Sequence, residues 1–179
     1  MITTQGCADL AERGHELACH TYSHRKLSGF SRQELLADLD RSSRTLGAFD
    51  KRSTPRNFSV PYGMSSPVVQ PLLRRRFLSS RGIMPGVNRG RTDPHNLAAV
   101  ELRPDEAFMS EADRWLHHAV EHPGWLIFFT HDVSSDPTFY GCHEERLASL
   151  VDAAQKLGCK ILTVEAAIQE LGFPAKTQM

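Results

Sequence analysis

The chain is poor in sulfur and carries no excess of either charge. Its four cysteines, Cys7, Cys19, Cys142 and Cys159, are scattered over 179 residues with no Cys-x-x-Cys pair, which argues against a thiolate zinc cluster or a redox motif. Such sparse cysteines fit free thiols in a reducing compartment. Lysine plus arginine equals aspartate plus glutamate at 21 each, so no global field favours nucleic acid or an anionic membrane. The longest aromatic-aliphatic run, Trp125 to Phe129, is far too short to cross a bilayer. Met1 to Asp9 has neither a basic start nor an apolar stretch, so no signal peptide is visible and a cytoplasmic location is expected. There is no Gly-x-Gly-x-x-Gly or P-loop pattern for a nucleotide. Nor is there a Gly-x-Ser-x-Gly elbow to support a serine hydrolase using Ser23 or Ser65 with His131. The one basic concentration, Arg74-Arg75-Arg76 with Arg81, Arg89 and Arg91 nearby, reads as a solvated helix end and loop.

What is present is an alternation of helical and extended patterns, in a chain long enough for one domain with a real core. Thr4 is placed to cap a helix running to Arg13, stopped by Gly14, and His15 to Thr21 follows as a first strand. Ser31 and Glu34 make a capping box ahead of a helical stripe of Leu35, Leu36, Leu39 and Leu46. Arg56 to Val60 is a second strand, ended by Pro61-Tyr62-Gly63. Ser66-Pro67 opens a further helix that Pro71 should strain. Phe77 to Ile83 and Ala99 to Leu102 are shorter extended pieces, and Asp105 starts an amphipathic helix through Ala119. Trp125 to Phe129 has the continuous apolar pattern of a strand buried on both faces of a parallel sheet. It delivers Thr130-His131-Asp132. A helix from about His143 to Leu157, closed by Gly158, precedes a last strand, Ile161 to Val164, and a last helix, Glu165 to Leu171. About six strands, most of them separated by helices, imply a parallel α/β architecture, either an open sheet or a barrel.

In both architectures the chemistry belongs at the carboxyl ends of the strands. His20, His24, His131 and the Pro61-Tyr62-Gly63 turn all fall there. Nine histidines make a chance His-x-x-x-His common, so it is the convergence at strand ends that favours His20 and His24 as metal ligands. A catalytic zinc takes three protein ligands and keeps one position open, acidifying its bound water and polarising a carbonyl. His131, off the metal, suits protonation of a leaving amine, and a backbone N–H of the turn suits an oxyanion. These parts describe hydrolysis of an amide or ester. His117, His118 and His122 read as helix-end groups that suit the dipole. Trp115 and Trp125 read as core.

These residues resemble the polysaccharide deacetylases of the NodB-homology type, carbohydrate esterase family four, over essentially the whole chain. Gly14 to His24 is similar to the family's His-Ser/Thr-x-x-His metal motif in its usual context. Arg56 to Gly63 is similar to its Pro-Tyr-Gly motif, Phe129 to Asp132 to its Leu-x-His motif, and Ile161 to Ala167 to its closing strand and helix. The resemblance implies an α/β fold, a distorted (β/α) barrel, and metal-dependent removal of acetyl groups from N-acetylated sugars or polysaccharides. It implies that His20 and His24 bind a divalent metal, Zn2+ first among the candidates. It further implies that His131 is the general acid, that Tyr62 helps to stabilise the oxyanion, and that Phe129 lines the acetyl pocket with Pro61 also on the substrate side.

The chain departs from the pattern in lacking the Thr-Phe-Asp-Asp motif, which supplies the catalytic base and a third metal ligand, and the Asp-Trp motif; Ser59 stands where many members carry arginine. It starts near the helix that precedes the second motif, so the expectation is an N-terminally truncated, incomplete barrel missing its first strands. Such a barrel has unpaired strand edges, which invite a second copy to pair. Glu16 lies about 13 Å along the strand from His20, too far to ligate. Pleating turns Asp132 away from His131, while Asp136 sits on a loop that could bend back. Two readings stand: a deacetylase acting on an N-acetylated carbohydrate, and a non-catalytic carbohydrate- or metal-binding remnant of one.

Overall fold

The computed structural model describes residues 3–49 and 55–173. Six α-helices run α1 (Thr4–Glu12), α2 (Arg32–Gly47), α3 (Gln70–Arg76), α4 (Glu106–Glu121), α5 (Glu144–Lys156) and α6 (Val164–Glu170). Eight short strands are β1 (Asn57–Ser59), β2 (Ser79–Arg81), β3 (Val87–Asn88), β4 (Val100–Glu101), β5 (Trp125–Leu126), β6 (Phe128–Phe129), β7 (Val133–Ser134) and β8 (Cys142–His143). They pair two by two and, among the described residues, do not close into a barrel, as an α/β chain with an incomplete barrel requires. No described helix is long and apolar enough to cross a membrane. The chain divides into two compact units, one of Met1–Gly82, Asp93–Leu97 and Leu162–Met179, the other of Ile83–Thr92 and Ala98–Ile161.

The first unit is organised by parallel pairing. β1 and β2 run parallel from Asn57–Ser79 to Ser59–Arg81, and single parallel bridges extend the ladder to Cys19 on one side and Leu97 on the other. Its core is Cys19, Leu27, Leu35, Leu39, Phe58, Val60, Val69, Leu73 and Phe77. α2 starts where the capping box predicts: the Ser31 hydroxyl accepts from Glu34 N–H, and Glu34 accepts from Ser31 N–H at 2.8 Å. From there Leu35, Leu39 and Ser42, at i, i+4 and i+7, turn one face inward. Full burial of Leu35 and Leu39 stabilises by about 1.5–3 kcal/mol each. Leu36 falls beside that stripe and stays exposed. α6 is tied on by its first turn, where Glu165 N–H donates to Glu16 (2.9 Å) and Arg56 pairs with the Glu165 carboxylate (2.8 Å).

In the second unit β4 runs parallel to β6 and β7 to β8, while β3 and β5 are antiparallel. α4 and α5 cover a core of Leu102, Met109, Ala112, Leu116, Cys142, Leu150 and Ala154. Asp105 caps α4, its carboxylate accepting from Ala107 N–H at 2.7 Å. Gly158, at φ +78°, follows the end of α5, a conformation that favours glycine.

Several expectations are corrected. Thr3, not Thr4, caps α1. α3 begins at Gln70, so Pro71 sits in its first turn, where its missing N–H costs nothing. His15 to Thr21 forms no strand: among the described residues it bridges only at Cys19, and Thr21 turns to φ 62°. Trp125 to Phe129 divides between an antiparallel and a parallel partner and is mostly half-buried. Ile161 to Val164 forms no strand; Ile161 and Leu162 are exposed and Thr163 caps α6.

Ser31→Ala should destabilise the protein by about 1 kcal/mol, read as a lower urea midpoint with an unchanged slope. The hydrogen bond from Ser31 N–H, then that from its hydroxyl, holds the Glu34 carboxyl below its ordinary range. Its contribution is therefore present above the unfolded value of about 4.3 and is lost as pH falls through the lower folded one. The difference from Ser31→Ala should shrink with it.

Candidate metal centre

His20, His24 and the Pro61-Tyr62-Gly63 turn are brought together at neighbouring carboxyl ends of the first unit's ladder. Cys19 N–H donates to Asn57 O at 3.0 Å, and Ser59 N–H donates to Cys19 O at 2.9 Å. That register sets His20 Nδ1 2.8 Å from Ser59 O. A carbonyl only accepts, so Nδ1 carries the proton and Nε2 keeps its lone pair. A supporting carbonyl fixes metal-binding imidazoles in the same way. His24 Nε2 stands 3.1 Å from His20 Nε2. Two ligands of a tetrahedral zinc, each about 2.0–2.1 Å from the ion, lie about 3.3 Å apart. The two nitrogens therefore already sit at ligand spacing.

The loop between them is strained and held. Thr21 and His24 have φ of 62° and 51°, a region side chains other than glycine seldom occupy. His24 N–H donates to Thr21 Oγ1 at 3.0 Å. Asp38 of α2 accepts Tyr22 N–H at 2.7 Å and Ser23 N–H at 3.1 Å. Strain of this kind gathers at functional sites and persists only where its surroundings enforce it. Tyr62 also has positive φ, 57°. Its ring is half-exposed, 4.9 Å from the His24 ring, with Lys26 Nζ 5.7 Å from its centre. Pro61 is fully buried beneath the turn it opens.

His131 and Phe129 belong to the second unit. Phe129 is half-buried in β6. His131 follows it with Nδ1 3.2 Å from Tyr140 O, and that carbonyl also accepts His131 N–H at 3.2 Å. Nδ1 is again the protonated nitrogen, and Nε2 is left to exchange a proton. Tyr140 and Phe139 stand exposed nearby, with the Arg103 guanidinium 4.9 and 4.7 Å from their ring centres.

Glu16 and Asp132 are engaged with other partners. Glu16 accepts from Asn57 Nδ2 at 2.6 Å and from Glu165 N–H. Asp132 accepts from the Thr138 hydroxyl and, at 2.9 Å, from its N–H, which hold its carboxyl below the usual range. Among the described residues, the one trio of potential ligands close enough to share an ion is His118, Glu121 and His122, at the end of α4. His118 and His122 read from sequence as helix-end groups and Glu121 drew no reading, although the spelling His-x-x-Glu-His was there to find. Asp38 was missed too, since no local pattern announces a carboxylate that reaches another segment's backbone.

Two imidazoles thus stand at metal-ligand spacing beside the parallel ladder of an α/β scaffold. Residues 3–75 match the family model of the polysaccharide deacetylases. The fold is similar to that of a candidate polysaccharide deacetylase of Mycobacterium smegmatis, with TM-score 0.67, 13% identity, and cover of 98% of this chain and 70% of that one. It is similar to a family-four acetyl xylan esterase of Clostridium thermocellum in complex with a cobalt ion, with TM-score 0.66, 17% identity, and cover of 96% and 73%. It is also similar to a family-four pseudoenzyme of Bacillus anthracis, with TM-score 0.54, 13% identity, and cover of 91% and 50%. No curated protein sequence matches the chain significantly. The chain spans 31% of the length of a Bacillus cereus polysaccharide deacetylase that it also matches. The matches identify the fold as that of a NodB-type deacetylase domain, with the sequence match carried by residues 3–75.

Removing the Asp38 carboxylate should release the strained loop. In Asp38→Ala, Tyr22 and Ser23 amide exchange should accelerate tenfold or more, since each bond to a charged acceptor contributes about 1.5–3 kcal/mol. Unchanged exchange would show that Asp38 does not hold the loop.

Proposed function

We propose that this chain is a metal-dependent deacetylase domain that removes N- or O-acetyl groups from an N-acetylated carbohydrate. The observation that carries the reading is the His20–His24 pair: two Nε2 atoms 3.1 Å apart, one with its tautomer fixed by Ser59. His20 and His24 hold a divalent ion, Zn2+ by their chemistry. When bound, such an ion acidifies water and polarises the acetyl carbonyl. In the Pro61-Tyr62-Gly63 turn, Gly63 N–H closes onto Val60 O at 2.9 Å and proline has no N–H. Tyr62 N–H is the amide this leaves for a developing oxyanion. His131 and Phe129 lie in the second unit, and their roles as proton donor to the leaving group and acetyl-pocket residue rest on the family resemblance alone.

A second reading, a non-catalytic metal- or sugar-binding relative, is favoured by one observation. Among the described residues, no third ligand joins His20 and His24. A family-four pseudoenzyme is also among the similar folds.

The experiment pairs Co2+ or Zn2+ titration with acetate release from N-acetylglucosamine oligomers and acetylated xylan. His20→Ala should lose both this metal and turnover, whereas His131→Ala should keep metal and lose turnover by about 10²–10⁴-fold. Metal binding without acetate release selects the second reading. Metal binding that survives His20→Ala and His24→Ala unchanged overturns the site.

A further inference from the structure

We propose that His118, Glu121 and His122 form a second metal site, at the end of α4, for a divalent transition ion of the zinc type. Positions i, i+3 and i+4 share one helix face. One ligand atom from each side chain lies within 4.8 Å of the others, and the two imidazole rings are 4.8 Å apart at 62°. Ligands of a common ion at about 2.0–2.2 Å stand roughly 3–3.5 Å apart. Glu121 and His122 are exposed and His118 is half-buried, so small rotations about their side-chain bonds close the difference. His117 is turned instead to its own helix, with Nδ1 2.8 Å from Asp113 O, and stands outside the group.

The charge suits a cation. The last turn of a helix is the negative end of its dipole, and Glu121 adds a full negative charge. Two imidazole nitrogens with one carboxylate oxygen select Zn2+, Cu2+, Ni2+ or Co2+ over Mg2+ and Ca2+, which favour all-oxygen shells. The order His-x-x-Glu-His is one that zinc peptidases carry, with the glutamate serving as base. Here the Glu121 carboxylate is close enough to both imidazoles to serve as a third ligand, leaving the fourth position to water. His122 N–H already caps the helix on His118 O at 3.0 Å. An ion shared by both side chains clamps that last turn. His118 also lies 5.8 Å, ring to ring, from Trp115, which makes Trp115 fluorescence a reporter of occupancy by a quenching ion.

The test uses the full chain, Zn2+ for calorimetric stoichiometry and Cu2+ for tryptophan quenching. Three variants are compared: His118→Ala with His122→Ala, His20→Ala with His24→Ala, and His117→Ala as control. The first should bind one Zn2+ fewer than wild type and lose the Cu2+ quenching of Trp115. The other two should keep the quenching. Glu121→Gln, close in shape, should weaken Zn2+ at this site about tenfold or more, at least the cost of losing a supporting contact. Because the two histidine pairs are removed separately, failure at α4 is distinguishable from failure at His20 and His24. Unchanged stoichiometry and quenching in His118→Ala with His122→Ala would overturn the proposal.

Discussion

One parallel bridge, Cys19 against Phe58, carries the arrangement of the first unit's site. It is the point at which the segment leading to His20 takes its register from β1. With that register fixed, His20 meets Ser59 O, its tautomer is set, and its Nε2 faces His24. A slip of one residue would turn His20 to the opposite face and dissolve the pair. Cys19 is fully buried among Leu35, Leu39, Phe58 and Phe77, so the bridge is held by packing as well as by two hydrogen bonds. Burial pushes its thiol pKa up, which keeps it an inert packing group.

Around this bridge, carboxylates act as ties for the backbone. Asp38 holds the amides of the histidine loop, Glu16 holds the first turn of α6, and Asp132 holds the Thr138 turn. Each of these carboxylates is geometrically committed by the hydrogen bonds it accepts. The His20–His24 pair stands at ligand spacing but, among the described residues, no third ligand joins it. The trio on α4 combines two imidazoles with a carboxylate in a single turn of helix. The two sites offer opposite compromises, one prearranged by strain and register, the other by helix periodicity alone.

What could be read in the sequence was chemistry that acts locally. The Ser31–Glu34 capping box, the Asp105 cap and Gly158 after α5 all depend on neighbours a few residues away, and the structure contains each of them. What could not be read depends on partners. Ile161 to Val164 has strand composition, yet among the described residues no strand pairs with it, and two of its large side chains face solvent. Trp125 to Phe129 looks like one buried strand, but its partners β3 and β4 approach in opposite senses and divide it in two. β7 and β8 were passed over because a turn fixed by Asp132 and Thr138, not an apolar pattern, brings them together. Asp38 belongs to the same class, visible only once α2 is set against the histidine loop.

The tie between Glu16 and α6 bears on how the first unit assembles. Most of its pairings join segments a few tens of residues apart, as the 39-residue step from His20 to Ser59 shows. The bond from Glu165 N–H to Glu16 spans 149 residues, and the Arg56–Glu165 pair spans 109. Closing loops of that length carries a larger entropic penalty than the short-range pairings do. α6, short and docked through one polar turn and two buried residues, Ala167 and Ile168, is therefore the element expected to join last in folding and to leave first when the protein opens.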